Sequence, residues 1–124
     1  MAYRFLLARH PTRPRNRHPL IIDDFLEIAR ASKKVCLSKM IDMTADLLKY
    51  GLDSRYVKPL GGPLYELKDR TSDGGARVYF LRYGVDAFIL GRAECKKENT
   101  ADETLLSSLL DIMDAIERNP ALIE

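Results

Sequence analysis

The stretch from Lys58 to Lys97 constrains the fold most. It carries three short apolar runs, Leu64–Lys68, Ala76–Arg82 and Asp86–Cys95. Asp73-Gly74-Gly75 parts the first two, and Tyr83-Gly84-Val85 parts the last two. Runs of this length, rich in Val, Ile, Tyr and Phe and divided by Gly or Asp, form strands joined by hairpins. The spacing predicts a three-stranded antiparallel meander over residues 58–97.

Side chains alternate across a sheet with period two. In the first strand Tyr65 and Leu67 share one face, and Glu66 and Lys68 the other. In the second, Val78 and Phe80 oppose Arg77, Tyr79 and Leu81. In the third, Gly91, Ala93 and Cys95 oppose Arg92, Glu94 and Lys96. Tyr65, Leu67, Val78 and Phe80 suit a core. If the register aligns the polar sets, the other face is an ionic floor with an excess of cations. Any half-buried antiparallel sheet also shows such alternation, so spacing by itself equally describes a plain solvated face.

The flanking segments read as helices and one further strand. Tyr3–Ala8 reads as a strand joining the sheet edge. His10 to Arg17 is basic and proline-flanked, which makes it a loop or arm. His10 and His18 have no cysteine, histidine or acid cluster at ligand spacing, so the sequence assigns no metal site. Ile21 to Ala31 is amphipathic through Ile21, Phe25, Leu26 and Ile28. After Ser32-Lys33-Lys34, a second helix runs from about Val35 to Tyr50 and stops at Gly51. Its expected core stripe is Leu37, Met40, Ile41, Thr44, Leu47 and Leu48. Asp53 to Gly62 reads as a connector. Thr100 to Glu103 has capping-box form and opens a last helix over 102–118, with Leu105, Leu106, Leu109, Ile112, Met113 and Ile116 on one stripe.

These segments describe one α+β domain over residues 1–124, of element order β-α-α-β-β-β-α. Residues 1–20 form strand and arm, 21–50 a helical hairpin packed on an antiparallel sheet, 58–97 the meander and 102–118 the last helix. No apolar run approaches the ~20 residues that a membrane span needs, and no signal-peptide pattern opens the chain. Cys36 and Cys95 lack metal-ligand spacing and read as reduced core residues of a cytoplasmic protein. The formal net charge is +2, unevenly spread: residues 1–22 hold five arginines and no acid, whereas residues 98–124 hold seven acids and one arginine. That asymmetry points to an acidic or nucleic-acid partner on one side.

The run Lys58-Pro59-Leu60-Gly61-Gly62-Pro63-Leu64-Tyr65-Glu66-Leu67-Lys68 resembles the Leu-Gly-Gly-x-Leu-Tyr-Glu-Leu-Arg signature of phage-derived, HigB-like toxins of the RelE superfamily. Ala76-Arg77-Val78-Tyr79-Phe80 is similar to that family's Tyr-Arg-Val-hydrophobic-Tyr strand. Ile89-Leu90, followed by Lys96-Lys97, is similar to its aliphatic strand ending in a lysine pair. The resemblance covers roughly residues 55–100 and implies a RelE-like fold. It also implies a toxin of a toxin–antitoxin system, a metal-independent endoribonuclease that cleaves mRNA on the ribosome. Its partners would be mRNA, the ribosome and a small helix-turn-helix antitoxin, with no cofactor and no membrane.

In that chemistry a ribose 2′-oxygen attacks the adjacent phosphorus and the 5′-oxygen leaves. The reaction needs a base, an acid and positive charge on the phosphorane. The resemblance implies Arg77 as phosphate clamp, Lys68 as base or charge stabiliser, and Lys96 as charge stabiliser or proton donor. Glu66 is either a base or the ion-pair partner that orients Lys68 or Arg77. Lys58, Arg92 and Lys97 would grip RNA, and Tyr79 would stack on a base. Arg92 and Glu94 stand where the family often has His and Phe, and the last helix is acidic where the family's is commonly basic. Those departures favour a second expectation, a toxin-fold module that binds a partner without cleaving. A free nucleic-acid-binding domain is a third, with the modest net charge against it.

Overall fold

A computed structural model describes residues 3–9, 18–96 and 103–120. It is an α+β structure of three α-helices and a five-stranded mixed sheet. In chain order the elements are β1 (Arg4–Leu7), α1 (Leu20–Arg30), α2 (Lys34–Tyr50), β2 (Val57–Gly61), β3 (Leu64–Thr71), β4 (Gly74–Tyr83), β5 (Ala87–Lys96) and α3 (Glu103–Arg118), with a short 3-10 turn, Gly51–Asp53, after α2. The sheet order is β1-β5-β4-β3-β2. The meander is β3-β4-β5, antiparallel throughout.

Two features correct the sequence reading of the sheet. The sheet is mixed and not purely antiparallel, because β1 runs parallel to β5. The segment read as a connector contains β2, which pairs Lys58 with Glu66 and Pro59 with Tyr65. Pro59 is compatible with a strand here because β2 lies at the sheet edge, where a missing N–H breaks no ladder.

The two sheet faces bury different helices. One face packs Leu67, Val78, Phe80, Phe88 and Leu90 against Ile21 and Ile28 of α1 and Met40, Met43 and Leu47 of α2. The other packs Leu64, Tyr79, Leu81 and Ile89 against Leu109, Ile112 and Ile116 of α3. The side chains of Leu105 and Leu106 lie outside the described residues. On α2 the buried stripe is Cys36, Met40, Met43 and Leu47, while Ile41 and Leu48 face solvent. Met40 and Leu47 of the expected stripe are thus in the core, with Leu37 packed against it, whereas Cys36 and Met43 take the places expected for Ile41 and Leu48.

The sulfurs correct another expectation. Cys36 and Cys95 form a disulfide that closes 59 residues and ties the first turn of α2 to the end of β5. Val35 N–H donates to Asp73 Oδ2 (2.8 Å) and Lys33 Nζ to the Cys95 carbonyl (3.3 Å), so the same helix end also holds the β3–β4 turn and the β5 edge.

A bulge sets the facing of β5. Phe80 pairs with Leu90 but Tyr79 pairs with Arg92, leaving Gly91 as the extra residue. Gly91 points to α3, not with Ala93 and Cys95 as simple alternation predicts. A Cβ there would lie 2.3 Å from Leu109 Cδ2, so glycine is what lets α3 approach.

Candidate functional site

α3 covers only part of its face of the sheet. Beyond it, toward the β3–β4 turn, the same face is a cleft of about 940 Å³ lined by Lys58, Lys68, Arg70, Arg77 and Lys96, with Asp69, Thr71, Ser72, Gly74 and Gly75. Four elements supply the cations: Lys58 from β2, Lys68 and Arg70 from β3, Arg77 from β4 and Lys96 from β5.

The register builds this floor in rows. Lys68 faces Arg77, which faces Glu94. One row toward α3, Lys58 faces Glu66, Glu66 faces Tyr79 and Tyr79 faces Arg92. One row toward the turn, Arg70 faces Gly75, which faces Lys96. The polar faces of all three meander strands thus align. Gly75 leaves a gap between Arg70 and Lys96, and a Cβ there would lie 3.1 Å from the Lys96 carbonyl oxygen.

The depth of each group differs. Lys58 and Arg70 are exposed, and Lys68 and Lys96 are half-buried. Arg77 is 1% exposed, so its guanidinium lies beneath the cleft surface although it lines the cavity. Its surroundings are polar rather than aliphatic: Glu94 Oε1 is 3.9 Å from Nη1, and Lys68 stands opposite. The same Glu94 oxygen accepts a hydrogen bond from Tyr79 Oη at 2.6 Å and lies 4.0 Å from Lys96 Nζ.

Burial and charge shift three titrations. Glu66 is buried, and Oε2 meets no hydrogen-bond donor among the described residues. Desolvation raises its pKa, against the lowering pull of Arg77, Lys68 and Lys58. The Lys68 pKa is lowered, first by desolvation and then by Arg77, with Glu66 opposing. Burial and then the hydrogen bond to Glu94 push the Tyr79 phenol well above its ordinary range, so it stays a donor.

Several expected site residues are brought together: Lys58, Lys68, Arg77 and Lys96 line one cavity, with Glu66 in the row beside Lys68. Two are not available as expected. Tyr79 is fully buried under α3, so no base can stack on its ring. Arg92 is turned to the protein: Nε and Nη2 grip Asp24 of α1 at 2.8 and 3.1 Å, and Nη1 donates to Ser108 of α3 at 3.3 Å. It is a strut between helices and not a groove residue. Lys97 and His10 lie outside the described residues, and His18 Nδ1 sits 3.2 Å from Asp23 Oδ1.

Sequence reasoning missed Arg70 and the Thr71–Gly75 turn as cleft residues. The signal was present, since the alternation of Glu66 and Lys68 continues to Arg70. Among the described residues no group of three His, Cys, Asp or Glu side chains could hold a metal ion. Nor is any helix among them long and apolar enough to cross a membrane. No protein-family model matches the chain, and no curated protein is significantly similar to it.

Proposed function

We propose that this chain is a RelE-like, HigB-like toxin, a metal-independent endoribonuclease that cleaves mRNA on the ribosome and is neutralised by a small antitoxin. The observation that carries the reading is the convergence of Lys58, Lys68, Arg70, Arg77 and Lys96 on one cleft. Clustered Lys and Arg donors stabilise charge on phosphate oxygens. The element order also supports the resemblance, with a helical hairpin between the first strand and the meander and a last helix after it. Action on translating ribosomes would place the protein in the cytoplasm.

The cleft, with Glu66 buried in the row beside it, offers the groups that the reaction needs. The 2′-hydroxyl proton passes to a base as the 2′-oxygen attacks phosphorus, and the leaving 5′-oxygen takes a proton from an acid. Lys68, whose pKa is lowered, and Glu66, whose pKa is raised, each shift toward the neutral range that suits such transfers. Lys96 supplies charge at the surface and Arg77 from beneath it. The products are a 2′,3′-cyclic phosphate and a free 5′-hydroxyl.

The depth of Arg77 favours one alternative. At 1% exposure it cannot clamp a phosphate directly without movement of its neighbours, which fits a toxin-fold module that binds without cleaving. Induced expression, with and without the product of an adjacent small gene, separates the two while cleaved transcripts are mapped. The toxin reading expects growth arrest and cleaved mRNA, both relieved by Lys68→Ala with Arg77→Ala. Intact transcripts and unaffected growth leave the binding module.

A further inference from the structure

Glu94 is an acid in a row of cations. β5 sets it in line with Lys68 and Arg77, where a carboxylate would be expected to repel a bound phosphate. Its surroundings say otherwise. Tyr79 Oη donates to Glu94 Oε1 at 2.6 Å, and that oxygen is 3.9 Å from Arg77 Nη1 and 4.0 Å from Lys96 Nζ. The Tyr79 ring is locked in the apolar cluster under α3, so the hydroxyl that fixes the carboxylate is itself fixed. The Glu94 side chain is only 12% exposed, and it is absent from the cleft lining that Arg77 and Lys96 share. Its carboxylate therefore lies between the deeper Arg77 and the shallower Lys96.

We propose that Glu94 is the positioning residue of the cleft, holding the Lys96 ammonium at the surface toward a bound phosphodiester and the Arg77 guanidinium beneath it, where its charge acts through the floor. The inference rests on the reading of the cleft as an RNA site. Glu94 offsets the repulsion within the cluster, which lets Lys96 present its ammonium at the cleft surface while Arg77 adds charge from beneath. Without that counter-charge Arg77 and Lys96 would repel each other and spread apart.

A repelling Glu94 and a positioning Glu94 give opposite signs. The test measures binding of a short single-stranded RNA oligonucleotide by the full chain over a salt series, for wild type, Glu94→Gln and Glu94→Asp. Glu94→Gln keeps an oxygen to accept the Tyr79 hydrogen bond and raises the net charge by one. We expect it to bind roughly tenfold more weakly at low salt. Its salt dependence should be shallower by about 0.7 for each phosphate that the cations no longer neutralise. Glu94→Asp recovers part of both. A defect in folding alone would lower the bound fraction without changing the salt slope. Should Glu94→Gln not fold, Tyr79→Phe removes the fixing hydrogen bond, leaves the charge, and is expected to flatten the slope as well. Binding by Glu94→Gln, or by Tyr79→Phe in its place, that is as tight and as salt-dependent as wild type overturns the inference and leaves the RNA site intact. A wild-type chain that binds no RNA overturns the site reading itself.

Discussion

Lys68 and Arg77 face each other directly across β3 and β4. Two like charges in that relation cost stability, where an opposite pair would add to it. The strain is confined to the cleft, since Arg77 is answered on its other side by Glu94. On the side of Lys68 the repulsion is opposed by Glu66, in the next row of the floor.

Replacing Lys68 by Met removes the repulsion and keeps the stem that covers the floor. It also removes the attraction between Lys68 and the buried Glu66, so thermal or urea unfolding is expected to change by less than about 1 kcal/mol. RNA binding is expected to fall at the same time. A loss of several kcal/mol would show that Lys68 is chiefly a structural residue.

RNA binding is expected to depend steeply on salt. If about four of the lining cations meet phosphates, log affinity falls against log salt with a slope near −3. If Lys58, at the exposed β2 edge, neutralises one phosphate, Lys58→Ala is expected to lower the slope by about 0.7 for every sequence tried. A slope near zero would remove phosphate recognition from the cleft.

Glu66 sets a pH dependence of stability. Its folded pKa is raised by desolvation above the ordinary 4.5, so protonation favours the folded state. That contribution is fully present below pH 4.5 and disappears as pH rises through the folded pKa. Glu66→Gln is expected to flatten the Tm profile over that window, and to match or exceed wild-type stability at neutral pH. A wild-type profile unchanged by Glu66→Gln would contradict the shift.

The Cys36–Cys95 bridge closes a loop of 59 residues. Chain-entropy arguments give its removal a cost of about 4 kcal/mol. Denaturant unfolding with and without reductant, and of Cys36→Ser with Cys95→Ser, is expected to show that drop. Identical midpoints with and without reductant would mean that the bridge does not form in solution.

Much of the fold was legible because period-two alternation is unambiguous in β3 and β4, and because Gly51 and the break at Ser32 to Lys34 bound α2. The α2 core was legible only in part: Met40 and Leu47 were expected and are buried, whereas Cys36 and Met43 are buried where Ile41 and Leu48 were expected. Stripes of the same spacing lie side by side on this helix, and only the partner surface chooses between them. Tyr79 shows the limit of alternation at the site. Parity put it on the polar face, which is correct, but parity does not say which length of a face another element covers. The Cys36–Cys95 pair had no local signal, because a bridge across 59 residues depends on how α2 meets the end of β5.

The bulge at Gly91 divides one face of the sheet into a dry half beneath α3 and a wet half carrying the cations. Leu109 over Gly91, and Ser108 beside Arg92, mark the boundary. An RNA strand bound as proposed would therefore rest on sheet and turn alone, since the described side chains of the cleft lining come from β2 to β5 and the β3–β4 turn and none from α3.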